Sequence, residues 1–266
     1  MRVRDWITAG IVGIVISGCA GVQSELSPET RAAMAPTGKL RVAFLLVPIY
    51  VTKDSATGDL TGVAVDIGKE LARRVSVPFE PVVYANVPEM MGGAKSGQWD
   101  VVLIGIDPQR ATVVDFSAPF MNVEQGYLVR AGVPIAAASA VDAPGVRVGV
   151  LEKSSLDILL SKTLKNAVLV RAKTLPENYA LLDAGKTDVM AATKPALFAG
   201  AESRPGTRVL DGQFPADTVG VGVPIGRAPG AAAYVAKFVE EAKVGGLIKE
   251  AVERARLRGV VVAPLK

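Results

Sequence analysis

Unbroken apolar runs of strand length recur along the chain, each leading into a segment with helical spacing. That alternation restricts the fold more than any other feature. "LRVAFLLV" (40–47) and "WDVVLIGI" (99–106) show no polar–apolar alternation, so they read as strands covered on both faces. Between them, "TGVAVDIGKELARRV" places Val65, Leu71 and Val75 on one side and Lys69, Arg73 and Arg74 elsewhere, an amphipathic helix. "FEPVVYA" reads as a strand, "PEMMGGAKSG" as a weak helix and "EQGYLVRAG" as a further strand. A second series starts near residue 133. "GVRVGVL" is a strand, "SSLDILLSKTL" a helix capped by Ser154 or Ser155, and "AVLVRA", "PENYALLDAG", "TDVMAA" and "KPALFAGAE" repeat the alternation. "TVGVGVPIG" closes as a strand, followed by a long helical tail broken at Gly245-Gly246. Strand–helix–strand order with continuous apolar strands predicts α/β units with mainly parallel sheets. Two such units and a tail predict two lobes with a cleft between them, where ligands collect beyond the carboxyl ends of strands.

The start of the chain has a different character. Arg2 and Arg4 precede "WITAGIVGIVI", an apolar run too short for a stable membrane anchor, and small residues then lead to Cys19. "ISGC" resembles the lipobox of bacterial lipoproteins. Residues 1–18 are therefore expected to be a signal peptide and Cys19 a lipidation site. Ala20, where an aspartate would signal retention at the inner membrane, points onward to the outer membrane. Cys19 is the single cysteine, so no intrachain disulfide forms. Residues 19–36 read as a tether, with a helical turn after Ser27 where Pro28 suits the first position.

Composition then removes whole classes of chemistry. The chain has no histidine, which excludes Ser-His-Asp triads, histidine acid–base catalysis and most zinc or copper sites. The formal charge of +4 comes from scattered Lys and Arg rather than a basic stripe, so nucleic acid is not an expected partner. No cofactor motif is present.

One stretch stands out chemically. In "IGIDPQRATVVDFSAPF" (104–120) an apolar strand ends and an Asp-Pro-Gln-Arg turn sets one fixed positive charge just beyond it. This stretch, preceded by "KSGQWDVVL", resembles a pattern of the family 3 extracellular solute-binding proteins, the amino-acid-binding group of type II periplasmic binding proteins. "ATGDLTGVAVDIGKELARRV", "VRVGVLEKSSLDILL", "AGKTDVMAAT" and "VGVGVPIG" resemble further segments of the same family in the same order, from Leu40 to about Arg256. The resemblance implies two lobes, residues 37–128 plus 219–266 and residues 129–218, joined by two crossing strands and closing on a small solute. It implies an ABC transporter permease as partner, a periplasmic place, a monomer and no catalysis.

The same resemblance implies site residues. Arg110 matches the arginine that holds the ligand's carboxylate, and a guanidinium suits a planar carboxylate with parallel donors. A structural salt bridge to Asp107 or Asp115 is the competing role. Ser154 and Ser155 fall at a helix start whose free N–H groups favour an anion, although an ordinary N-cap would also explain them. Lys153 stands where the family has glycine. Thr193 stands where an aspartate usually holds the ligand's ammonium. Leu46 replaces a usual aromatic, Asn86 or Val87 stands near the usual tryptophan, and Leu103 and Gly105 replace small polar residues. Asp107 takes the place of a threonine. The carboxylate half of the site is thus expected to survive and the amino half to be lost, which points to a carboxylate-bearing solute other than a standard α-amino acid. Glu124 and Asp107 are the acids able to replace the missing one, each with a bland alternative as an exposed hinge residue or a turn former. Trp99 reads as core packing and Lys194 as solvent-exposed.

Other functions compete on the same residues. The fold also carries cyclohexadienyl dehydratase, and there Glu124 or Asp107 would have to supply the acid. A sensor or envelope protein with a lost ligand site is the third reading.

Overall fold

A computed structural model of the protein describes residues 26–210, 214–227 and 229–266. Residues 1–18, expected to be a signal peptide, and Cys19 lie outside these residues. In chain order the first lobe opens with α1 (Pro28–Met34), β1 (Leu40–Leu45), a small hairpin of β2 (Thr52–Lys53) and β3 (Leu60–Thr61), α2 (Val63–Val75), β4 (Phe79–Tyr84), α3 (Val87–Ser96), β5 (Val101–Gly105), β6 (Val114–Phe116) and β7 (Met121–Val123). The second lobe is built from β8 (Gln125–Val129), β9 (Arg147–Leu151), α4 (Ser155–Thr163), β10 (Val168–Ala172), α5 (Leu175–Asp183), β11 (Val189–Thr193), α6 (Lys194–Glu202) and β12 (Arg208–Leu210). The chain then returns through β13 (Asp217–Pro224), α7 (Pro229–Val244), α8 (Leu247–Arg254) and β14 (Val260–Val262).

The first sheet has the order β14-β7-β13-β5-β1-β4, with β6 also pairing β13, and the second β10-β9-β11-β8-β12. Both are mixed rather than mainly parallel. β4, β1 and β5 run parallel, as do β10, β9 and β11, because each set is joined by helical crossovers. β13 and β8 are the strands that cross between lobes, and they enter antiparallel to β5 and β11. The first crossing lies at Glu124, between β7 and β8, and the return lies between Leu210 and Asp217. The lobe limits expected at 128/129 and 218/219 fall a little after these points. Nothing in "NVEQGYLV" marks the change of sheet, since the backbone stays extended through it.

The local reasons for these elements are plain. α2 buries Val63, Ile67, Leu71 and Val75, a stripe spaced by four residues, under the first sheet. β5 is buried along its whole length, as an unbroken apolar run requires. Trp99 lies wholly buried beside α3, its indole N–H donating to the Met90 carbonyl at 2.8 Å. Gly93 makes this possible, because a Cβ there would lie 2.8 Å from the indole ring.

Both lobes start with the same clamp. Arg41 donates its backbone N–H and Nε to one oxygen of Asp100 at 3.0 and 2.9 Å, and Nη2 to the other at 2.8 Å. Arg147 makes the same contacts with Asp188, at 3.0, 3.0 and 2.7 Å. In each lobe the aspartate just before a central strand is tied to the first residues of its parallel neighbour. This explains why "WDVV" and "TDVM" carry a charge at the edge of a buried run. It fixes the carboxyl ends of β1, β5, β9 and β11 on the cleft side.

Candidate functional site

The site is built from strand ends. β5 stops at Gly105, and Asp107 then closes a tight turn by accepting the N–H groups of Gln109 at 2.8 Å and Arg110 at 3.2 Å. The turn folds Arg110 back over the end of β5, where it is 6% exposed. Its Nη1 donates to the Gly105 carbonyl at 2.7 Å, and its Nη2 reaches across the cleft to the Lys153 carbonyl at 2.8 Å. Lys153 presents that carbonyl from a left-handed backbone conformation, φ 58°, the conformation the family's glycine would adopt without strain. Just beyond it, Ser154 caps α4 by accepting the Asp157 N–H at 3.1 Å, while Asp157 accepts the Lys153 N–H at 2.9 Å.

Asp217 faces Arg110 from the first position of β13. It is 8% exposed, and burial pushes its carboxyl up from the ordinary value, with Arg110 and a hydrogen bond from Ser155 pulling the other way. Asp107 adds to the upward push. Tyr50 completes this corner: its hydroxyl oxygen accepts the Gly105 N–H at 3.0 Å, and burial raises the phenol far above its usual value.

Tyr50, Arg110, Ser154, Ser155 and Asp217 line one cavity of about 70 Å³ between the lobes. Leu45, Val47, Ile49, Val87 and Ile104 form its apolar wall in the first lobe. Leu151, Leu156, Leu175, Ala191 and Ala196 form it in the second. Polar groups converge on it from Arg110, Asp217, Tyr50, Ser154, Ser155 and Thr193, with Gln125 and Asn178 at its second-lobe side. Gln125 Oε1 and both amide atoms of Asn178 are buried without a hydrogen-bond partner among the described residues. A larger crevice of about 510 Å³ lies between α6 and the α2–α8 pair, rimmed by Arg254, Arg256 and Arg258. It gathers exposed charges rather than buried convergent ones, so the chemistry favours the smaller cavity.

Arg110, Ser154, Ser155 and Thr193 therefore stand together, as the sequence led one to expect. Gly105 contributes its carbonyl to Arg110 rather than a cavity wall. Leu103 is fully buried in the core. Leu46 is 42% exposed, and its neighbour Leu45 lines the cavity instead. Asn86 is the N-cap of α3, accepting the Glu89 N–H at 2.9 Å, while Val87 lines the cavity. Asp107 is the turn former just described. Glu124 is exposed, and Gln125 takes the inward position. Lys194 is 8% exposed and lies over the Phe198 ring, not in solvent, because its stem packs on Gly126 and Gly259. The acid that does face the cleft, Asp217, was not among the candidates. Among the described residues no cluster of Cys, Asp and Glu is arranged to hold a metal ion.

The model of the bacterial extracellular solute-binding proteins, family 3, matches residues 46–253. A glutamine-binding protein of Geobacillus stearothermophilus is 23% identical over 244 residues, covering 82% of this chain and 92% of that protein. Among solved structures, an ancestral amino acid-binding protein that is a precursor of cyclohexadienyl dehydratase superposes with a TM-score of 0.75 at 24% identity, over 86% of this chain and all of that one. An amino acid ABC transporter substrate-binding protein of Streptococcus pneumoniae, bound to L-arginine, gives 0.73 at 20% identity, over 84% of this chain and 96% of that one. At these identities the likeness to solved structures is one of fold: two α/β lobes, with mixed sheets flanked by helices.

Proposed function

We propose a role from one premise: the chain belongs to the bacterial extracellular solute-binding proteins, family 3. It captures a small carboxylate-bearing solute between its lobes and delivers it to an ABC transporter. The observation that carries this reading is Arg110, buried in a cavity between the lobes with Ser154 and Ser155 facing it from the other side. A guanidinium keeps its charge when buried, and its fork geometry matches a carboxylate. Closing the lobes over the solute brings Arg110 to Lys153, so the closed form differs from an open one by contacts a partner can read. Relatives named as an amino acid ABC transporter substrate-binding protein and as a glutamine-binding protein support transport as the setting. The apolar run and "ISGC" before Cys19 support a lipid anchor on the periplasmic side, with Ala20 favouring the outer membrane.

The test is calorimetry on the mature protein and on Arg110→Ala, using whatever solute native mass spectrometry finds retained through purification. Arg110→Ala is expected to lower affinity for a carboxylate by at least 100-fold, and unchanged affinity would sink the assignment.

A second reading, a dehydratase on this fold, has one observation in its favour. Asp217 is a cavity acid whose carboxyl burial shifts upward from its ordinary value, the direction a general acid needs. Turnover of prephenate or arogenate by the purified protein, lost in Asp217→Asn, would establish it.

A further inference from the structure

A further segment meets the hinge besides the two crossing strands. The turn that ends α8 brings residues 255–259 there. Leu257 N–H donates to the Val252 carbonyl at 3.3 Å, and Arg256 is left-handed, φ 50°, at a helix end where glycine is usual. The next three residues then go to three different places. Leu257 packs against the first-lobe core. Arg258 lies over the ring of Phe198, on α6 of the second lobe, with its Cζ 3.6 Å from the ring centroid. Gly259 offers its carbonyl to the Glu124 N–H at 2.7 Å, and the Glu124 carbonyl accepts the Lys194 N–H at 2.8 Å. Backbone hydrogen bonds thus run from the C-terminal segment, through the first crossing, to the start of α6. Gly259 has φ 77°, and a Cβ there would lie 2.8 Å from the Lys194 Cβ and 3.3 Å from the Glu124 Cβ. Only glycine meets both conditions.

The helix that Arg258 covers is also a wall of the cleft. Ala196 lines the central cavity, whereas Pro195 and Phe198 line the larger crevice outside it. From the first lobe, Val47 and Ile49 line the cavity and Pro48 the crevice. One layer of chain separates the two spaces, and its second-lobe half is the start of α6. Lys194 also lies over the Phe198 ring, at 5.6 Å, but from within the same helix, so that contact does not join the lobes.

We infer that Arg258 is a positioning residue for closure: stacked on Phe198, it holds α6, and with it the second-lobe wall of the cavity, against the first lobe. Gly259 sets where this strap meets the hinge. A guanidinium already at stacking distance can come no closer, so rotating the lobes about the hinge slides or lifts it from the ring, and the attraction fades beyond about 6 Å. The contact therefore favours the closed arrangement. Arg258 lines the outer crevice and not the central cavity, so it acts through α6 rather than on a solute. The inference needs lobes that close, as the solute-capturing reading does, but it does not depend on which solute closes them.

Single-molecule fluorescence transfer across the cleft tests this with no solute added. The full chain carries Cys19→Ser, with dyes attached at Lys95→Cys on α3 and Lys162→Cys on α4, both exposed positions. An exposed cation–π contact of about 0.5–1 kcal/mol shifts an equilibrium about 2- to 5-fold. Arg258→Gln and Phe198→Leu are each expected to lower the ratio of closed to open molecules by that factor. The double variant is expected to lower it no further than the larger single effect, because both changes remove one contact. Gly259→Ala, whose Cβ would run into Lys194 and Glu124, is expected to lower the ratio by 10-fold or more. A ratio unchanged in Arg258→Gln overturns the inference, and so does a single distance shared by wild type and all variants. Losses that multiply in the double variant overturn it as well. A merely structural role would lower the urea midpoint of Arg258→Gln and leave the ratio where it was. Either reading can fail alone: these ratios judge the strap, and Arg110→Ala calorimetry judges solute capture.

Discussion

Arg110 and Asp217 should behave as one electrostatic unit, and a double-mutant cycle measures it without knowing the solute. The perturbations are Arg110→Met, Asp217→Asn and the pair. A separation of about 6 Å and an effective dielectric of about 20 give a coupling of about 3 kcal/mol between the two full charges. Arg110→Met alone also removes the bonds to the Gly105 and Lys153 carbonyls, each worth roughly 1.5–3 kcal/mol, but that loss is common to both sides of the cycle and cancels. The coupling should depend on pH, and its sign follows from the raised carboxyl of Asp217. Below 3.8 the group is protonated in both folded and unfolded chains, and its contribution to stability is complete. As pH climbs through the window from 3.8 to the raised folded value, the unfolded chain ionises first and that contribution is lost. Asp217→Asn removes this loss, so its stability relative to wild type should rise across the window. The attraction to Arg110 appears over the same window, as the carboxylate forms. Asp107 and Tyr50, the other titratable groups facing Asp217, are unchanged in all four proteins. Urea unfolding of the four proteins, stepped upward in pH from about 4, gives the coupling as a function of pH. A coupling that stays flat as pH rises, or that never exceeds about 0.5 kcal/mol, would refute the reasoning.

Four further outcomes follow from packing and ion pairing. Gly105→Ala should lower solute affinity by at least 10-fold, because its Cβ would sit 2.7 Å from Asp217 Oδ1, and should cost about 1–3 kcal/mol of stability; calorimetry and urea melts read the two effects separately. Gly62→Ala should destabilise by about 1–3 kcal/mol in a chemical melt, since Gly62 has φ 134° and an added Cβ would lie 2.5 Å from the Tyr50 carbonyl oxygen. Asp100→Asn should cost about 3–5 kcal/mol, because it strands Arg41 and Arg227 around a fully buried position. Glu80→Gln, which breaks an ion pair 57% and 40% exposed, should stay within about 1 kcal/mol by the same assay.

The elements were legible in the sequence because hydrophobic spacing is a local signal. Unbroken runs became buried strands, the four-residue stripe of α2 became its core face, and the break at Gly245-Gly246 separates α7 from α8. Arg110 and Ser154 were legible for the same reason: each follows a strand within a few residues, and a turn or a cap fixes where it points. The cavity walls were harder. Leu45 lines the cavity where Leu46 was expected and Gln125 where Glu124 was, while of the pair Asn86 and Val87 it is Val87 that lines it. Each difference is one residue, and along an extended backbone one residue reverses the face a side chain occupies. Position in a motif fixes neighbourhood to within a residue, whereas only the pairing register fixes the face.

Asp217 escaped for a different reason. Asp217 and Arg110 lie far apart in the chain, and only the pairing of β13 with β5, Val219 opposite Gly105, brings them together. A lone aspartate at the start of "DTVGVGVP" gives no local sign that it will be buried, and its natural sequence reading is a turn. The signal available was Gly105. A glycine inside an otherwise large-residue buried strand implies that something else fills the space above it. In this protein that something is a carboxylate, held beside the guanidinium that the same strand end positions. The substitution of Thr193 for an aspartate was read as the loss of a charge from the site. Counting by cavity rather than by motif places a carboxyl group, Asp217, on the same cavity as Arg110 but on a different strand.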